Sequence, residues 1–190
     1  MWKKLPKWDK KLYKNPIPRG NIYRWVSSIL FVDKLDRALE KIKSEPNRET
    51  FTYEGYKCLI VRHPEFGHLC GYVGIPEGHK YYKKHYDDVP LEVHGGLTFS
   101  DFWEDENDNL WYLGFDCAHA WDLSPFMHKR DREIYNSQPR SKYWINGVEH
   151  EYKERDLGAE LMKHETYRDI EYVRIQCKKM VKQLNNPVST

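Results

Sequence analysis

Between residues 170 and 184, Ile170, Val173, Cys177, Val181 and Leu184 recur at intervals of three and four. That spacing lines side chains up along one face of an α-helix. The residues between them are mostly charged or amide-bearing, so the helix has one face that needs cover. Thr166 is positioned to cap its start, with Asp169 three residues on as a capping-box counterpart. Lys178, Lys179 and Lys182 complement its C-terminal dipole. The rest of the chain must therefore supply an apolar surface about four turns long.

That surface reads as a sheet. Thr50–Tyr53 and Tyr56–Arg62 flank a Glu54-Gly55 turn and are rich in β-formers, the pattern of a hairpin. Leu69–Ile75 continues as a strand broken by Gly71 and Gly74. Leu91–Phe99 and Leu110–Ala118 give two more strands around an acidic, Asn-containing turn, Glu104–Asn109. A second hairpin is expected from Tyr143–Ile145 and Val148–Tyr152 around Asn146-Gly147. Leu35, Ala38, Leu39 and Ile42 form a helical stripe between an Asp33 cap and Pro46, and Pro76 can open a short helix through Tyr82 and His85. The expected class is α+β: a mainly antiparallel sheet of four to six strands with the long C-terminal helix packed on it. Hydrophobic residues make up only 39% of the chain, but aromatics make up 15% and bury large areas each, so a core is attainable.

The formal net charge of +2 hides an asymmetry. Residues 1–24 carry eight lysines and arginines against Asp9 alone, +7, leaving −5 for the remainder. Pro6, Pro16, Pro18 and Gly20 make 1–23 an extended arm. With Trp2, Trp8, Tyr13 and Tyr23 interleaved, it suits nucleic acid, or equally the chain's own acidic body. Residues 24–190 read as one α+β domain, with a charged excursion at about 126–160. Cys58, Cys70, Cys117 and Cys177 form no CxxC pair, and no apolar leader stands at the N-terminus, so the expectation is reduced thiols in a cytoplasm. No apolar run approaches the roughly 20 residues needed to span a membrane.

Reactive side chains crowd into His63–Asp122, in four short phrases (63–68, 78–79, 92–96 and 116–122) that share a His or Asp beside Gly or Ala, where a ligand can approach closely. On a strand, His94 shares a face with Glu92 and is cleared by Gly96, an arrangement for a general base or ligand contact, or for a core histidine bonded to backbone. Asp116, His119 and Asp122, with 119 and 122 on one face of a turn, join His94 as catalytic candidates. The same four are candidate ligands for a divalent metal, zinc, manganese or iron, the one cofactor these residue types suggest. The plainer reading has Asp116 and Asp122 capping turns. Ligand-binding candidates are His68, His79, Tyr82, Asp87, Asp88, Glu92, His94, Asp116 and His119, with Tyr81–Asp88 at the rim of the pocket or as a surface helix with its rings inward. Cys117 with His94 as base is a further option for nucleophilic chemistry. No GxSxG elbow, P-loop or dinucleotide fingerprint is present.

Gly67–His79 (GHLCGYVGIPEGH), Val93–Thr98 (VHGGLT), Gly114–Asp122 (GFDCAHAWD) and Tyr167–Val173 (YRDIEYV) resemble a family of small uncharacterised proteins encoded by phages and prophages. The resemblance covers 57–123 and 164–184 and brings no catalytic assignment. It implies an accessory role against host defence, inside the host cell, by capturing or degrading a nucleotide signal or by blocking a host protein. Three readings follow: a pocket for a small polar, nucleotide-like ligand; a His/Asp hydrolase, with or without metal; and a protein-blocking inhibitor acting through the arm and the hairpin around Asn146-Gly147.

Overall fold

The computed structural model describes residues 34–137, 141–145, 148–152 and 164–186. The basic arm, the Asp33 cap, the Asn146-Gly147 turn and parts of the 126–160 excursion lie outside the described residues. Helix α1 covers 34–44. Strands β1 (Arg48–Tyr53), β2 (Tyr56–Arg62), β3 (Leu69–Ile75), β4 (Phe99–Phe102) and β5 (Trp111–Asp116) follow, then helix α2 (Pro125–Ser137), the paired strands β6 (Ser141–Ile145) and β7 (Val148–Tyr152), and helix α3 (Ile170–Asn185). The first five strands form one antiparallel sheet in the order β1-β2-β3-β5-β4, so β5 inserts between β3 and the edge strand β4. The fold is α+β, with the C-terminal helix on the sheet as expected.

The β1–β2 turn puts Glu54 at φ 45° and Gly55 at φ 85°, two successive left-handed residues of the kind that close a two-residue hairpin. On the face of the sheet that meets α3, Cys58, Ile60, Leu69, Val73, Ile75, Leu113 and Phe115 pack against Val173, Cys177, Met180, Val181 and Leu184. Burying each large aliphatic among them contributes about 1.5–3 kcal/mol before entropy is counted. Gly71 lies beneath the helix: a Cβ there would sit 2.6 Å from the Phe115 ring and 2.8 Å from Cys177 Sγ. A second, smaller cluster of Leu35, Ala38 and Leu123 seats α1. That helix is fastened by a buried network in which Arg62 donates to Glu45 (2.8 Å) and Tyr167 (2.6 Å), and the Tyr167 hydroxyl donates to Glu45 (2.6 Å).

Several local expectations are corrected. The stretch 91–98 is a loop rather than a strand. Gly96 N–H donates to the Val93 carbonyl (3.1 Å) across a turn in which Gly95 stands at φ 67° and Gly96 at φ 91°, angles no ladder accommodates. Residues 76–85 form successive turns, and the only helical piece nearby is a 3-10 turn at Tyr86–Asp88. The cap of α3 is Asp169, which accepts from Tyr172 N–H at 2.8 Å; Thr166 instead pairs with Asp122 in an isolated parallel bridge. Part of the charged excursion is the helix α2, entered through Pro125. No helix among the described residues is long and apolar enough to cross a membrane.

Candidate functional site

Antiparallel pairing fixes one end of the sheet as the place where chemistry gathers. Cys70 pairs with Asp116, so the last residue of β5 lies beside the start of β3. After Asp116 the chain turns: Ala118 N–H donates to Asp116 Oδ1 (3.0 Å) and Asp122 N–H to the His119 carbonyl (2.9 Å). Residues 121–123 then pair with Thr166, through Thr166 N–H to the Trp121 carbonyl (2.9 Å) and Leu123 N–H to the Thr166 carbonyl (3.0 Å). That pairing carries Arg168 and the first turn of α3 up to Asp122.

Asp122 is the hub. Its side chain is 1% exposed and accepts from Arg168 Nε on Oδ1 (2.8 Å), and on Oδ2 from the His119 backbone N–H (3.1 Å) and His94 Nε2 (2.6 Å). Burial works against its ionised form, but the bonds from Arg168, His94 and the His119 N–H outweigh it and hold its pKa below the ordinary carboxylate value. The other ring nitrogen of His94, Nδ1, meets the Tyr172 hydroxyl at 2.9 Å. Burial raises the pKa of Tyr172 against the pull of Arg168, whose guanidinium lies 4.9 Å from the centre of the Tyr172 ring. Tyr172 is therefore a phenol at neutral pH, and Asp122, His94 and Tyr172 form one hydrogen-bonded chain.

His119 completes the group. Its ring crosses that of His94 edge to face at 5.4 Å and occupies the space where a Cβ on residue 95 would be, 2.0 Å from Cε1. His119 Nδ1 is buried without a hydrogen-bond partner, 3.6 Å from Asp122 Oδ2 and 3.8 Å from Asp116 Oδ1. One nitrogen each of His94 and His119 and one oxygen of Asp122 lie within 4.8 Å of one another, a set that could hold a metal ion; Asp116 is outside that set. No family model, curated protein or solved structure matches the chain.

His94, Asp116, His119 and Asp122 thus converge, although the first is brought there by a turn. Glu92 does not join them: its backbone exchanges two 2.8 Å hydrogen bonds with Gln183, and its carboxylate is 88% exposed. The carboxylate beside His94 is Asp122, 28 residues on. Tyr82 and His79 lie toward the other end of the sheet, where the Tyr82 hydroxyl donates to the Asn109 carbonyl (3.3 Å) and His79 packs on Tyr56. Asp87 and Asp88 are exposed beside the Tyr86 turn, so 81–88 is no rim to this group. Cys117 is 1% exposed and burial raises its pKa, which removes the thiolate a nucleophile needs.

His68 is near. It is 5% exposed, stacks on His63 (5.0 Å) and Phe66 (6.0 Å), and burial, helped by His63, lowers its pKa. With those rings, Tyr72, Phe99 and Asp116 it lines a cavity of about 380 Å³ that shares the Asp116 wall with the His94 group. Arg168 and Tyr172 are the residues that sequence reasoning missed. They fall inside the 167–173 segment that carries part of the resemblance, but their polarity reads as an ordinary solvated helix start.

Proposed function

We propose that the chain binds a small polar, nucleotide-like ligand where His94, Asp116 and His119 meet the ring-lined cavity. The observation that carries this reading is the hydrogen-bonded Asp122–His94–Tyr172 chain, anchored on the buried Asp122 carboxylate. Burying a carboxylate, and partly burying the guanidinium and two imidazoles around it, at a loop junction costs stability that an apolar junction would not. Such polar convergence beside a cavity is the usual mark of a ligand site. In this reading His63, Phe66 and His68 stack on the planar part of the ligand, Asp116 accepts its hydrogen bonds, and His119 meets its polar end.

A second reading, hydrolysis, draws support from the 2.6 Å His94–Asp122 contact. A buried carboxylate that fixes an imidazole is the arrangement of acid–base catalysis, and Tyr172 on the second ring nitrogen supplies an exchangeable proton. Action against host defence rests on the phage resemblance alone, and the inhibitor reading concerns the arm and the Asn146-Gly147 turn, which lie outside the described residues, together with the paired strands β6 and β7. Thermal-shift titration with a nucleoside mono- and diphosphate panel, with and without Zn²⁺, tests the binding reading. A ligand at a hundredfold excess over its Kd adds about 2.7 kcal/mol to wild-type stability, and His94→Gln loses that gain. Equal shifts in both proteins, or none in wild type under either condition, refute it.

A further inference from the structure

His119 Nδ1 is the anomaly in the site. It is a buried polar atom with no hydrogen-bond partner, and the two carboxylate oxygens facing it stand at 3.6 and 3.8 Å. Those separations are too long for hydrogen bonds. The 3.6 Å to Asp122 Oδ2 suits two ligand atoms around one small cation: with bonds of about 2.0–2.1 Å in tetrahedral geometry, neighbouring ligand atoms lie about 3.4 Å apart. The formal charges agree. With neutral imidazoles, Asp116 and Asp122 against Arg168 leave the group at −1, which attracts a cation and repels a phosphate.

We propose that His94 Nε2, His119 Nδ1 and Asp122 Oδ2 bind a divalent first-row cation, zinc by preference. Two nitrogens and one carboxylate suit zinc, manganese or iron better than magnesium or calcium, which take oxygen ligands. Three protein ligands leave a position open, the pattern of catalytic rather than structural metal centres. Asp116, beside His119, flanks that position.

The surrounding contacts have the form of a metal site's outer layer. Arg168 engages Oδ1 of Asp122 and leaves Oδ2 for the cation. Tyr172 faces the ring nitrogen of His94 that would not bind it. Loading needs one proton rearrangement. The contact to the Asp122 carboxylate requires a proton on His94 Nε2 before loading, which in a ring with one proton leaves Nδ1 to accept from Tyr172. With the cation on Nε2 the proton resides on Nδ1 and is donated to the Tyr172 oxygen. In that exchange the proton moves from one ring nitrogen to the other, and the 2.6 Å contact to Asp122 opens to admit the ion.

This deepens the ligand reading and rests on it for one point: a cation with an open position makes an anionic group, phosphoryl or carboxylate, the part of the ligand that meets His119. The cation itself does not depend on that reading. The test is calorimetric titration of EDTA-dialysed full-length protein with Zn²⁺ alone. Co²⁺ substitution, followed by visible absorption, checks for low coordination number. Wild type is expected to bind one equivalent, and His119→Ala to bind at least tenfold more weakly with its fold intact by circular dichroism. His94 ring nitrogen shifts in the NMR spectrum should report the tautomer change. No binding by wild type, or equal binding by His119→Ala, overturns the proposal. Zn²⁺ binding without any nucleotide-induced shift sinks the ligand reading and spares the metal; nucleotide shifts in protein that binds no Zn²⁺ do the reverse.

Discussion

Replacing Gly95 by alanine separates two demands that the site makes of one residue. Its φ of 67° costs an alanine roughly 1–2 kcal/mol in backbone energy. In addition, the new Cβ would stand 2.0 Å from Cε1 and 2.2 Å from Nε2 of His119, so the ring must swing outward. It can, because its side chain is 36% exposed. Gly96 is the natural control: it stands at φ 91° with nothing within 4 Å of the place a Cβ would take, so Gly96→Ala carries the backbone cost alone. In a chain of this size each kcal/mol lowers Tm by about 2–4 °C. Gly96→Ala should therefore melt about 2–8 °C low, and Gly95→Ala lower still. Only Gly95→Ala should also couple to His119, with a double-mutant-cycle energy of about 0.5–3 kcal/mol against His119→Ala by urea unfolding. Only Gly95→Ala, moreover, should weaken Zn²⁺ binding as His119→Ala does. A coupling energy indistinguishable from zero, or equal effects of the two glycine variants on Zn²⁺ affinity, would refute the account of His119.

Three further outcomes follow from the packing. Arg62→Met leaves the buried Glu45 carboxylate without its counter-charge, though still bonded by Tyr167 and the Ile170 N–H, and should cost about 3–5 kcal/mol in urea unfolding; Tyr167→Phe, which removes one hydroxyl from the same network, should cost about 0.5–1.5 kcal/mol. His68 is held neutral, below its ordinary value of 6.5. As pH falls through 6.5 the unfolded chain takes up a proton that the folded one refuses, so stability falls between 6.5 and the lower folded value; His68→Phe should flatten that part of the pH–stability curve, and an unchanged slope would remove His68 from the account. Burial pushes the thiols of Cys58 to about 12 and Cys70 to about 11 and raises Cys117 and Cys177 as well. A disulfide-exchange reagent should therefore modify none of the four rapidly in native protein and all four in urea.

The parts of the fold that were legible are those whose cause is local. The β1–β2 hairpin is written in β-formers around Glu54-Gly55, and α3 in its stripe, though Met180 also faces the core. Asp116, His119 and Asp122 were legible as a group because they share one turn. The arrival of His94 was not: Gly95 and Gly96 take left-handed angles that turn an apparent strand into a loop, and this replaces Glu92 with Asp122 as its partner. Arg168 and Tyr172 were illegible for another reason. Nothing in their own neighbourhood announces that a bridge between Asp122 and Thr166 will draw them in from 46 and 50 residues beyond Asp122. The segment 81–88 misled because rings and charges look like a pocket rim wherever they occur, whereas strand register carries this one to the other end of the sheet.

Gly71 carries no reactive atom of its own, yet the aim of the site depends on it. Cys177 rests where a side chain on residue 71 would be, and Tyr172 lies five residues earlier on the same helix, about 7.5 Å along its axis. The depth to which the helix sinks at that glycine sets how far the Tyr172 hydroxyl reaches toward His94. An alanine at 71 would lift the helix like a shim under a lever, and the misalignment would show at the far end, in the distance between hydroxyl and imidazole. A screen that scored only foldedness could pass such a variant; a probe of the His94–Tyr172 contact would find the defect in residues that were not altered.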